Sequence, residues 1–226
     1  MAYFDSDALR FLSDLRAHND RVWFQANKER FESKVRDPML HFIADLGPRL
    51  KKISPHFVCD PRPVGGSMLR IYRDTRFAKD KSPYKTHIGA HFWHAKAKDD
   101  SSPGFYLRIE PGASMTGAGI WHPEPPALKK IRDRIVADAK GWQRATSGRE
   151  FRSACGMVGE SLKRPPPGYD PDHPFIEDLK RKDFATSLAL ADRDIASGKL
   201  MDTVIDAFRT TAPFVQFLTR SVGLPF

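Results

Sequence analysis

Four runs of alternating apolar and polar residues, packed into the stretch from Ser67 to Trp121, constrain the fold of this chain more than any other feature. Ser67 to Asp74 sets Leu69 and Ile71 against Arg70 and Tyr72. Lys85 to Trp93 sets Ile88, Ala90 and Phe92 against His87, Gly89 and His91. Phe105, Leu107 and Ile109 define a third run, and Pro111-Gly112 turns the chain into a fourth from Ser114 to Trp121. A two-residue period is the mark of a strand with one buried face. The connections are too short for crossover helices, so the strands must pair antiparallel. Leu69, Ile71, Ile88, Phe92, Leu107 and Ile109 are expected to face helices.

Helical periodicity brackets these runs. Asp5 caps a first helix through Ala8, Phe11, Leu12 and Leu15, with Phe4 stapled onto Leu9, and the helix should stop near His18-Asn19. Asp20 caps a second, with Trp23, Asn27, Phe31 and Val35 as its buried line. Asp37-Pro38 reads as a cap plus a proline at the first helical position, opening a third helix that kinks at Gly47-Pro48. After the strands, Pro125-Pro126 starts a helix that Gly141 should end, and Ser147-x-x-Glu150 is a capping box before a short helix through Phe151. A short helix is expected from about 173 to 180, an additional strand from Phe184 to Leu190, and a C-terminal helical region from Lys199 that bends near Pro213. The whole is an α+β fold, one domain over residues 1–226 with no internal boundary, in which N- and C-terminal helices flank a central antiparallel sheet at about 67–121.

Composition narrows the function classes. No apolar run reaches the roughly 18 to 20 residues that span a bilayer, so no membrane partner is expected. The residues from Met1 to Asp7 carry neither a basic nor an apolar signal region, and Cys59 and Cys155 stand far apart with no CxxC pair. A cytoplasmic protein without a disulfide scaffold or structural zinc follows. The net charge is +9, and it is concentrated. Residues 62, 70, 73, 76, 79, 81, 85, 96 and 98 are basic, opposed within that segment only by Asp74 and Asp80; 9 − 2 leaves +7 there and +2 elsewhere.

The stretch from Arg70 to His87 therefore carries the chemistry. Arginine forks bind carboxylate or phosphate oxygens in pairs, and lysines add point charge. Arg70, Arg73, Arg76, Lys79, Lys81 and Lys85 are candidate ligands for an acidic, phosphorylated small molecule, with Tyr84 or Trp121 as an apolar wall and His87 as ligand contact and candidate proton donor or acceptor. Two other readings stay open. Cations interleaved with Asp74 and Asp80 also describe a salt-bridged structural clasp in an interaction protein. A basic chain with aromatics among its cations also fits a nucleic-acid-binding module, with weak and non-specific binding because no base-reading signature is present.

Three segments carry a resemblance to a known family: Asn19-Asp20-Arg21-Val22-Trp23-Phe24, the run from Arg70 to Lys85, and Gly117-Ala118-Gly119-Ile120-Trp121-His122-Pro123. The chain resembles, from Phe4 to about Leu218, the conserved hypothetical proteins grouped as domain of unknown function DUF2461. The resemblance implies one compact domain with the basic loop as its hallmark. It supplies no catalytic residue.

The remaining constellations read as structure. His87, His91 and His94 have helical metal-ligand spacing, but strand alternation turns His94 away, so no metal and no cofactor are expected. Gly117 and Gly119 lead into Trp121 instead of a helix, so they mark a close backbone or side-chain approach, an opening that a ligand beside Trp121 and His122 can share. Glu29, Glu32, Glu110 and Glu124 are scattered, with nothing to pair them. Cys155 falls at helical spacing from Phe151 and reads as core.

Overall fold

The computed structural model describes residues 2–97 and 102–226; Lys98, one of the nine basic residues, lies outside the described residues. Helix α1, Ser6–Ala17, begins where Asp5 accepts hydrogen bonds from the Asp7 and Ala8 amides, and buries Ala8, Phe11, Leu12 and Leu15. Asp20 caps α2, Arg21–Ala26, by accepting from Trp23 N. Phe24, not Trp23, is the residue this short helix buries. It breaks at Asn27, whose amide side chain donates back to the Trp23 carbonyl at 2.9 Å and so competes with the helical ladder. Helix α3, Lys28–Phe31, leads through a π turn, Glu32–Arg36, into α4, Asp37–Leu50.

Asp37 is therefore no cap. It has helical dihedrals and its N–H donates to Glu32 O, the five-residue bond of a π turn. Pro38, which has no N–H to offer, follows where that ladder is already shifted, so the helix runs on without a new start. Helix α4 also carries Pro48 inside it.

The sheet has strands β1 Ile88–Phe92, β2 Gly104–Ile109, β3 Met115–Ile120, β4 Gly156–Val158 and β5 Phe184–Ala189, in the order β1-β2-β3-β5-β4 and antiparallel throughout. The expected strand at Phe184 thus completes the sheet. β4 is three residues long, too short for alternation to announce it. The expected first run, Ser67 to Asp74, forms only isolated bridges, Met68 to Ala90 and Tyr72 to Tyr84. Its buried apolar residues are Met68 and Ile71, three apart, which breaks the two-residue period and leaves Leu69 exposed.

Helix α5, Pro125–Ala137, and helix α6, Ala139–Thr146, follow β3. Gly141 ends neither. It lies in the first turn of α6, where its N–H donates to the Asp138 cap at 2.8 Å, and a Cβ there would lie 2.1 Å from that carboxylate. Helix α7, Arg149–Ala154, starts from Gly148 with no side-chain cap, so the expected capping box does not form. Helices α8, Ile176–Leu179, and α9, Asp192–Ile195, flank β5, and α10, Leu200–Ser221, runs unbroken across Pro213.

Helix α10 covers one face of the sheet. Phe208 meets Phe105 at 4.7 Å and Phe92 at 5.9 Å between ring centres, and Phe214 meets Trp142 at 5.9 Å. Ile88, Ala90, Phe92, Phe105, Leu107 and Ile109 are all buried on this side. Strand alternation and register place His87, Gly89, His91, Tyr106, Arg108, Met115, Gly117 and Ser187 on the opposite face. That face, not the helix-packed one, carries the polar chemistry.

Gly119 shows what the glycine-rich stretch is for. Its φ of +113° suits glycine alone, and a Cβ there would lie 2.1 Å from the Phe184 carbonyl oxygen. Gly119→Ala is expected to cost about 3 kcal/mol or more in urea unfolding. Gly156→Ala, on the open strand β4 with nothing within 4 Å of its Cβ, is expected to stay within about 0.5 kcal/mol of the parent protein.

Candidate functional site

The basic loop is built as a hairpin laid along the edge of the sheet. Arg73 N donates to Pro83 O at 2.9 Å and Lys85 N to Ile71 O at 2.8 Å. Asn19, at the junction of α1 and α2, pins it from the side: its side chain donates to Tyr84 O and accepts from Tyr84 N, each at 3.0 Å. One asparagine thus replaces a missing strand neighbour for both backbone groups of one residue. The Tyr84 ring goes the other way, into the core, stacked on Phe24 at 4.1 Å.

Both aspartates of the loop are occupied locally. Asp80 accepts from Ser82 N at 2.9 Å and Ser82 Oγ at 2.6 Å and pairs with Arg73, and these contacts hold its carboxyl far below the usual range. Asp74 pairs with Arg76 at 2.7 Å. Lys81 folds back onto the Thr75 carbonyl at 2.9 Å. Such exposed pairs shape a loop but add little to its stability, because water screens them.

Beside this loop lies a cleft of about 350 Å³, lined by the cations Arg16, Arg73, Lys85 and Arg108, by His87, and by Asp80 as the carboxylate. Behind Arg16 and Arg108 sits Glu110, almost wholly buried, which pairs with Arg108, lies 3.6 Å from Arg16 and accepts from Thr86 Oγ1 at 3.2 Å. The cations outnumber the acids. Two groups in the cleft register the consequence. The Lys85 pKa is pushed down by burial and by Arg70 nearby. His87 is pushed down to about 4, by burial first and by Arg108 and Lys85 in addition, with Glu110 opposing. Each shift favours the form that carries less positive charge, as expected of a partly dry cleft with an unbalanced positive field.

Of the residues the sequence singled out, Arg73, Tyr84, Lys85 and His87 line this cleft. Arg70 is exposed and acts on Lys85 and Asp74 through its charge. Arg76 is exposed and lies over the Phe77 ring, which is itself 95% exposed. Lys79 and Lys81 are exposed on the loop. Trp121 belongs to a second cavity on the same sheet face. His94 is buried against the Pro225 carbonyl at 2.9 Å, away from His87.

Arg16, Asn19, Arg108 and Glu110 are not among the candidate site residues of the sequence, where Glu110 reads as one of four scattered carboxylates. Asn19 lies in one of the three segments that carry the family resemblance. Glu110 follows directly on the third apolar run, where a buried carboxylate signals a charge partner.

The family model for the conserved hypothetical protein DUF2461 matches residues 7–217, and the chain belongs to that family. No curated protein matches the chain, and no solved structure does.

His87 offers a direct check on this electrostatic picture. Its folded pKa lies below the ordinary histidine value of 6.5, so the unfolded chain takes up the proton first. The stability that neutral His87 contributes is present above about 6.5 and lost as the pH falls toward 4. Proton NMR of the imidazole is expected to give a midpoint near 4. A midpoint at or above 6.5 would contradict the unbalanced field.

Proposed function

We propose that this protein binds a small acidic ligand, bearing a phosphoryl or carboxylate group, in the cleft beside the loop from Arg73 to Lys85. The observation that carries the reading is the convergence of Arg16, Arg73, Lys85 and Arg108 on one cleft, with Lys85 and His87 both shifted toward their less positive forms. A purely structural cluster would place a carboxylate against each cation. Here Glu110 and Asp80 engage arginines, and Lys85 has no carboxylate within ion-pair distance among the described residues.

The roles follow from geometry. Arg108 and Arg16, held from behind by Glu110, supply planar donors for anion oxygens. Lys85 adds a partly desolvated charge that a bound anion would stabilise. His87, neutral in the empty cleft, gains a proton more readily once an anion arrives, which makes it the residue best placed to pass a proton to or from a bound group. A reducing cytoplasm suits the chain, because Cys59 and Cys155 are both free thiols, and burial pushes the pKa of each upward.

The clasp reading has its own support in the Arg73–Asp80 and Arg76–Asp74 pairs. The two readings diverge at Lys85. A cation crowded by like charges is relieved by removal, whereas a clasp residue leaves a partner stranded, at ~3–5 kcal/mol when buried. Lys85→Ala is expected to leave the urea midpoint unchanged or raised. Inorganic phosphate is expected to raise the melting temperature of the parent protein, with ~2.7 kcal/mol of stabilisation at a hundredfold excess over Kd. The rise should shrink in Lys85→Ala and Arg108→Ala and persist in Arg76→Ala. Strong destabilisation by Lys85→Ala, with no phosphate response in the parent, would overturn the proposal in favour of a clasp.

A further inference from the structure

The cleft that takes the anion is one end of a larger surface. The sheet face opposite α10 holds a second cavity of about 560 Å³, and Arg108 lines both. Its floor is made of small residues, Gly117, Ala185 and Ser187, and its sides of Tyr106, Met115 and Trp121. Arg108 is the one charged side chain among its described lining residues. A Cβ on Gly89 would lie 2.7 Å from the Tyr106 hydroxyl, and one on Gly104 would lie 2.7 Å from His91 Nε2. Two glycines thus let two rings lie down along the sheet. The register runs from the Arg108–Met115 pair to the Gly104–Gly119 pair, four residues and about 13 Å at ~3.3 Å per residue.

Two further features point to an occupant. Ser102 lines the cavity at 6% exposure, and its hydroxyl is a buried polar atom without a hydrogen-bond partner among the described residues. Buried hydroxyls are ordinarily satisfied. Trp121 is 55% exposed at the rim, a large ring left in water. An inorganic anion would satisfy the cations and leave the apolar space unfilled. A neutral apolar molecule would fill the space and leave the cations unmatched. Only a ligand with both parts matches both cavities.

We propose that the acidic ligand is amphipathic, with an anionic head at Arg108, Lys85 and Arg73 and a flat, ring-containing apolar body along the sheet toward Trp121. The proposal rests on the anion-binding reading and names the ligand class for that cleft. Flat rings suit this cavity because Tyr106 and Trp121 line it with aromatic surface to stack on. The head group is a phosphate or a carboxylate, and the body is about as long as the 13 Å floor.

Calorimetric titration of the full chain with inorganic phosphate and with 1-naphthyl phosphate separates the anion site from its apolar extension. The naphthyl ester is expected to bind at least tenfold more tightly than inorganic phosphate. In Ser187→Phe, which fills the floor, the ratio of the two affinities is expected to fall toward one. Trp121→Ala, at the exposed rim, is expected to lower it as well and carries the test if Ser187→Phe does not fold. Phosphate binding with no gain from the naphthyl group would overturn the amphipathic ligand and leave the anion site standing. A tenfold gain that survives both substitutions would overturn it too, because the ring would then be bound elsewhere. If neither compound binds, the anion site falls and this inference falls with it.

Discussion

Glu110 sits at the end of β2 with its carboxylate almost out of water, and three elements of the fold meet on it. Arg16 reaches it from α1, Thr86 from the residues leading into β1, and Arg108 from two places earlier on its own strand. Its backbone is fixed by Ser114, which accepts from Glu110 N at 3.0 Å and donates to Glu110 O at 2.9 Å across the tight turn into β3. Burying a carboxylate costs several kcal/mol unless charge partners and hydrogen bonds offset it. That cost is what makes the arrangement selective. The helix, the turn and the strand must come together in this way, or the charge is left stranded. The arginines on Glu110 are thereby held in place on their other side, where the cleft opens.

The second support is Asn19. The basic loop lacks a full strand partner, and its exposed ion pairs are individually weak. A side-chain amide that satisfies both the N–H and the C=O of Tyr84 fixes the point where the loop re-enters the sheet, and the Tyr84 ring stacked on Phe24 anchors it below. Asp74 and Asp80 then absorb Arg76 and Arg73 within the loop. Lys85 and His87 are left facing a positive field that the fold itself does not neutralise.

Much of this was legible in the sequence, and the rest was hidden for physical reasons. Periodicity located the strands around Ile88 and Leu107 because their alternation is strict and one face is buried, and the Pro111-Gly112 turn located the one around Ala118. It misplaced the run at Ser67, because Met68 and Ile71 bury at a spacing that no regular strand has. The caps Asp5 and Asp20 were readable, since a cap is a local bond. Asp37 was not, because whether it caps depends on the π turn before it. The basic loop stood out by composition, and Lys85 and His87 do line the cleft. Arg108 and Glu110 come to it through the register between β1 and β2, and Arg16 and Asn19 reach it from α1 and the α1–α2 junction, through Glu110 and Tyr84. An ion pair such as half-buried Arg108 and buried Glu110, two residues apart in sequence, has no periodic signature of its own.

The proposed anion site rests on a positive field gathered at one cleft. Amide chemical-shift mapping on uniformly labelled protein, titrated with inorganic phosphate at constant ionic strength, tests it most directly. Saturable shifts are expected, confined to Arg16, Asn19, Arg73, Ser82, Lys85 to His87, and Arg108, with the imidazole of His87 moving to a higher pKa as the site fills. Shifts scattered over the basic residues of the surface without saturation, or none at the cleft, would contradict it.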